Sequence, residues 1–109
     1  MDNGEYLASE SKIFVQSPPD IMNLIGDAYG ASGILLTESN LAPSFFDLKT
    51  GLAGELFQKL TNYRLRCAIV ITNPLLYGER FIELAREHQN HNTIRFFPSA
   101  NEAKTWLQS

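Results

Sequence analysis

Apolar and polar residues along this chain follow two different periods, and the switches between them mark out its elements. Ile34-Leu35-Leu36 and Cys67-Ala68-Ile69-Val70-Ile71 are short, unbroken apolar runs bounded by polar residues. That is the pattern of strands covered on both faces, so both are predicted as central parallel strands. Between them, from Gly51 to Tyr63, the apolar positions take helical spacing: Leu52, Ala53, Leu56, Phe57, Leu60 and Tyr63 share one side. Gly54, Glu55, Gln58, Lys59 and Asn62 fall on the other. Tyr77 to His88 repeats the pattern, with Phe81, Ile82, Leu84 and Ala85 inward and Glu79, Arg80, Glu83, Arg86 and Glu87 largely outward.

The flanking segments read in the same way. Glu5-Tyr6-Leu7-Ala8 and Lys12-Ile13-Phe14-Val15 are two short predicted strands around the polar turn Ser9-Glu10-Ser11. Ser17-Pro18-Pro19-Asp20 signals a helix start: Ser17 can cap, proline is tolerated in the first turn, and Asp20 sits where a capping-box acid reaches back. This helix is expected to run to about Tyr29 and stop at Gly30. Thr93 to Phe97 is a last strand, placed nearer an edge by Arg95 within its apolar run. Ser99 and Glu102 form a second capping box, opening a short helix that contributes Ala103, Trp106 and Leu107. Strands alternating with helices imply an α/β fold, a mixed, mostly parallel sheet of four to five strands with about four helices packed on it. No repeat, linker or low-complexity segment interrupts the 109 residues, a length that suits one domain.

Composition narrows the function classes. With 44% hydrophobic and 19% charged residues the chain has material for a packed core and no bias toward disorder. A net charge of -3 argues against a nucleic-acid partner, which needs a basic patch to displace counterions. Arg64 and Arg66 are only a local basic pair. Cys67, the single cysteine, lies inside an apolar run and reads as a small core residue with no internal disulfide partner. Met1 to Glu5 lacks the basic and apolar regions of a signal peptide, and no apolar run approaches a membrane span, so a cytoplasmic protein is predicted.

Candidate chemistry is sparse. Glu38, Asp47 and Glu55 could converge near the carboxyl end of the strand that holds Leu35, where open parallel sheets place ligands. The plainer reading makes Asp47 a turn cap, pairs Glu55 with Lys59, and leaves Glu38 a solvated loop acid. Glu87, His88 and His91 lie where a helix ends, on backbone that frays, so no metal site is assigned to them. Gly51-Leu-Ala-Gly54 is too short for a nucleotide fingerprint, and no serine sits in a nucleophile elbow, so no cofactor is expected. Phe45 and Phe46, if extended, face opposite ways, one anchoring the loop and the other left available. A mid-helix glycine costs about 1 kcal/mol relative to alanine, so Gly54 asks for a reason. Close approach by another helix is one, and packing under the domain's own loop is the other.

From Phe45 to Tyr63 the chain reads Phe-Phe-Asp-Leu-Lys-Thr-Gly-Leu-Ala-Gly-Glu-Leu-Phe-Gln-Lys-Leu-Thr-Asn-Tyr. With the strand Ala68 to Ile71, it resembles the central motif of an uncharacterised bacterial family, domain of unknown function 4180. That family's layout looks like that of the STAS domains (sulfate-transporter and anti-sigma-factor antagonist). The ending Ile94-Arg95-Phe96-Phe97 through Trp106 and Leu107 is similar to their final strand and helix. In STAS regulators a loop carrying an acid, a phosphorylatable serine and a glycine leads into a helix that a kinase or anti-sigma factor recognises. Aligning Gly51 with that glycine puts Lys49 or Thr50 near the acceptor position and displaces Asp47, so the usual acid-serine-serine-glycine signature is absent. Thr50 is the candidate phosphorylation site, with helix capping as its plain role.

The resemblance implies a non-enzymatic regulatory or interaction domain with a STAS-like sheet. It would dock another protein, or a like subunit as a homodimer, through Phe45, Phe46 and Asp47 and the helix face carrying Gly54, Glu55, Gln58, Lys59 and Asn62. The alternative is a small enzyme or ligand-binding protein using Glu38, Asp47 and Glu55.

Overall fold

The computed structural model describes residues 13–28, 31 and 33–108. Its elements in chain order are α1 (Pro18–Asp27), β1 (Gly33–Thr37), α2 (Pro43–Phe46), α3 (Leu52–Asn62), β2 (Arg66–Val70), α4 (Glu79–Glu87), β3 (Ile94–Phe97) and α5 (Ala100–Leu107). Short 3-10 turns occupy Glu38–Asn40, Leu48–Thr50 and Pro74–Tyr77. The strands lie in the order β1-β2-β3, and both pairings are parallel, with Thr37 opposite Val70 and Val70 opposite Phe97.

The sheet differs from expectation. Among the described residues it has three strands, not four to five, and no antiparallel pairing. The predicted strand Glu5–Ala8 lies outside the described residues, as do Lys12, Tyr29 and Gly30. Of the second predicted strand, Val15 makes a single parallel bridge to Leu41. The Glu38–Asn40 turn separates Leu41 from β1, so this bridge does not extend the β1 ladder. Asn40 holds the corner: its buried side chain donates to Ile13 O at 3.0 Å and accepts from Thr37 N at 3.0 Å.

Side chains that alternate across the strands divide the core into two layers. Ile34, Leu36, Cys67, Ile69 and Ile94 face a large cluster completed by α1, α3 and α4, with Leu24, Leu56 and Phe81 fully enclosed. Leu35, Ala68 and Val70 face a smaller cluster closed by Ala103 and Leu107 of α5. A β-carbon on Gly33 would stand 2.9 Å from Leu107 Cδ2 and 3.2 Å from Arg66 O, so the bare glycine leaves room for the end of the Leu107 side chain against β1. Arg66 caps the same helix, donating to Trp106 O at 2.6 Å while its guanidinium stands over the Trp106 ring.

The helix signals act as read, with local exceptions. The Asp20 carboxylate accepts from Ser17 N at 3.1 Å, and Ser99 Oγ accepts from Glu102 N at 3.3 Å. Helix α3 buries Leu52, Ala53, Leu56, Phe57 and Leu60 as predicted. Tyr63 does not join them and is exposed, because the helix ends before it. Leu65 N donates to Leu60 O and Arg64 N to Thr61 O, a Schellman closure that holds Arg64 at φ 57, where glycine is usual. Helix α4 begins at Glu79 rather than Tyr77, because Gly78 at φ 93 breaks the backbone before it. Among the described residues there are five helices rather than about four, and α2 is the one with no counterpart among the predicted elements. Among the described residues no helix is long and apolar enough to cross a membrane.

Candidate functional site

Because β1 and β2 are parallel and in register, they end side by side, and the chain leaving them builds one corner of the molecule. Glu38 is the first residue after β1. Its Oε1 accepts from Thr72 Oγ1 at 3.2 Å and Thr72 N at 3.4 Å, and its Oε2 accepts from the Tyr77 hydroxyl. One carboxylate therefore ties the end of β1 to the loop that follows β2. The bond to Glu38, then burial, then the negative charge of Glu38 push the Tyr77 phenol up to about 12.

The Tyr77 ring is pinned as well. It stacks on Phe46 with centroids 3.8 Å apart and planes 10° from parallel, and both rings meet Phe81 edge-on. At the other end of the same turn, Asn73 Oδ1 accepts from Leu75 N at 3.2 Å. Between these two clamps Leu75 and Leu76 are 73% and 70% exposed. Clefts flank the Phe46–Tyr77 stack. One, of about 450 Å³, is lined by Glu38, Leu41, Pro43, Asp47 and Leu76; the other, of about 240 Å³, by Leu48, Lys49, Gly78, Glu79 and Arg80. Phe46, Asp47 and Tyr77 line both.

The residues singled out from the sequence are only partly gathered here. Glu38 and Asp47 share the larger cleft, whereas Glu55 lies on α3 and lines neither. Asp47 caps a turn, accepting from Lys49 N at 3.1 Å. Phe45 and Phe46 do not sit on extended backbone: both belong to α2, which turns Phe45 wholly inside and leaves Phe46 half-buried on Tyr77. Phe45 is therefore removed from any surface. The Thr50 Oγ1 lies 2.8 Å from Ser44 O and 2.9 Å from Asp47 O, sharing its proton between them, and accepts from Leu52 N at 3.2 Å.

Gly54, Gln58 and Asn62 are all exposed, with Glu55 and Lys59 half-buried beside them. Among the described residues a β-carbon on Gly54 would meet nothing within 4 Å, so no described loop packs over the glycine. Gly54→Ala should raise stability by up to about 1 kcal/mol, read as a higher Tm. A lower Tm would mean that the backbone at Gly54 is covered.

Among the described residues, no three His, Cys, Asp or Glu side chains gather as a ligand group for a metal. His88 Nδ1 donates to Leu84 O at 2.9 Å, and His91 Nδ1 accepts from two backbone amides. Cys67 is buried in the sheet, and burial pushes its thiol up, away from the reactive thiolate.

The motif from Phe45 to Tyr63 thus supplies a wall of both clefts and the helix that follows, and a family model spans residues 3–107 around it. The chain belongs to the family described as domain of unknown function (DUF4180). No curated protein and no solved structure matches it. In this DUF4180 domain, sequence reasoning missed the Glu38–Thr72–Tyr77 tie and the exposed leucines. Asn73-Pro74-Leu75-Leu76-Tyr77-Gly78 carried a usable signal, since two leucines inside a turn bounded by Asn-Pro and Gly have no helix or strand to bury them. The tie had none, because its partners are 34 and 39 positions apart.

Proposed function

We propose that this DUF4180 chain is a non-enzymatic interaction domain of STAS-like layout, working in the bacterial cytoplasm, that docks a partner protein at the corner where β1 and β2 end. The observation that carries the reading is the pair Leu75 and Leu76, adjacent and exposed on a turn clamped at both ends. Burying a leucine side chain is worth about 1.5–3 kcal/mol, so two held in place offer a partner a pre-organised apolar anchor. The Phe46–Tyr77 wall and Asp47 extend the anchor into the clefts. The exposed stripe of Gly54, Gln58 and Asn62 on α3 supplies a second, uncharged face. A phosphate on Thr50 would remove the two bonds its hydroxyl donates, to Ser44 O and Asp47 O, and add charge beside Asp47, so modification there would reset the docking loop.

A second reading, as a small enzyme or ligand-binding protein, draws on Glu38 and Asp47 lining one cleft. Against it, Glu38 already accepts from Thr72 and Tyr77 and works as a structural tie.

The test is crosslinking in the native cell followed by mass spectrometry, with sedimentation of the purified protein to detect self-association. A Leu75→Ser/Leu76→Ser double variant should keep its Tm within a few degrees, since both side chains are exposed, and lose the partner that the wild type captures. Unchanged capture and unchanged sedimentation would overturn the docking corner. Loss of a bound small molecule on Asp47→Asn, with capture intact, would favour the second reading.

A further inference from the structure

We infer that His91 is a proton-operated latch on the turn between α4 and β3: the neutral ring holds the amides of Thr93 and Ile94, and protonation releases them and uncovers the first outward donor of β3. His91 Nδ1 accepts from Thr93 N at 3.0 Å and from Ile94 N at 3.1 Å. A ring nitrogen can accept only while it carries no proton, so the neutral ring keeps its hydrogen on Nε2. A second proton then has only Nδ1 to occupy. An imidazolium has no acceptor left, and two hydrogen bonds become two opposed N–H pairs.

The position of those amides gives the latch a consequence. Thr93 O, just before β3, accepts from Cys67 N at 2.7 Å, and Phe97 O, at its end, from Ile71 N at 2.9 Å. Backbone groups alternate sides along a strand, so Ile94 and Phe96 direct theirs away from β2. Among the described residues β3 pairs with β2 alone. Ile94 N–H is thus the first donor on the outer edge of the sheet, and the His91 ring covers it. An uncovered edge donor is a template for another strand.

The surroundings oppose a charged ring. The His88 ring, at the end of α4, lies 4.9 Å away, and Arg95, from β3, donates from Nε to His91 O at 2.6 Å. Burial first, then His88, then Arg95 hold His91 below the ordinary histidine value of 6.5. The unfolded chain therefore takes up this proton first as pH falls. The stability that the neutral ring supplies is fully present above about 6.5 and declines as the pH drops below it. The latch lies in a different turn from the Leu75–Leu76 corner and does not depend on docking there.

The experiment is an NMR titration of the whole chain from about pH 7.5 to about pH 5, following the histidine ring nitrogens and the backbone amides. His91 should begin as the Nε2–H tautomer and titrate below about 6.5, with the Thr93 and Ile94 amides shifting at the same midpoint. The Ile71 amide, bonded within the sheet, should not follow them. His91→Asn places an amide oxygen near the position of Nδ1 with no proton to gain, and should lessen the acid-induced fall in Tm. Thr93 and Ile94 amides that ignore the His91 midpoint would overturn the latch. So would a His91 midpoint at or above the ordinary value, or a His91→Asn variant that keeps the whole fall. If that variant does not fold, the wild-type titration alone decides.

Discussion

Ile69→Asp is expected to leave no folded protein. Ile69 lies in β2, the middle strand, is fully buried, and points into the larger core layer with Ile34, Leu36 and Ile94. A carboxylate there would be surrounded by hydrocarbon, with no donor to receive it. Burying an unpaired charge costs several kcal/mol, and protonating it instead still strands a polar group. Total stability for a domain of this kind is about 5–15 kcal/mol, so this one change can consume most of it. Circular dichroism and a proton–nitrogen correlation spectrum should show an unfolded chain. A cooperative melt within a few degrees of wild type would mean that β2 is not the central strand.

The second large effect separates two adjacent phenylalanines. Phe45→Ala should cost about 3–5 kcal/mol, because its ring is wholly enclosed and packs edge-on against Phe46 and Phe57. At about 4–8 °C per kcal/mol for a domain of this size, Tm should fall by at least about 12 °C. Phe46→Ala removes a half-buried ring and its stack on Tyr77, a pair interaction worth about 0.5–1.5 kcal/mol beyond area, so its Tm should fall less. Freeing Tyr77 also loosens the turn that presents Leu75 and Leu76, so the milder variant in melting should be the more damaging in partner capture. The reverse order of melting temperatures would show that α2 is turned the other way.

These two changes mark where sequence reasoning succeeds and where it stops. Chain neighbours alone identified β1, β2 and β3, the apolar face of α3, the capping box at Ser17 and the Ser99 cap, which lacks the return bond of a full box. Each is a local pattern, since strand and helix periods and side-chain caps involve residues a few positions apart. The same reasoning made one of Phe45 and Phe46 an anchor and left the other available, which holds, but it assumed extended backbone where α2 is helical, and it placed Tyr63 inside. A four-residue helix is too short to show a period, and a Schellman closure at a residue other than glycine has no sequence signal.

What only tertiary structure decided is which distant groups meet. The Glu38–Tyr77 bond joins residues 39 positions apart and forms because parallel pairing brings the ends of β1 and β2 together. The same pairing puts Glu38 and Asp47 into one cleft, while Glu55 stays on α3 and outside it. Among the described residues it also leaves Ile94 on an outer edge, where a histidine that reads in sequence as part of a polar helix end becomes the acceptor for two amides. Hydrophobic periodicity sets which face of each element turns inward. Which loops then share a corner depends on strand order and direction, and those follow from packing over the whole chain.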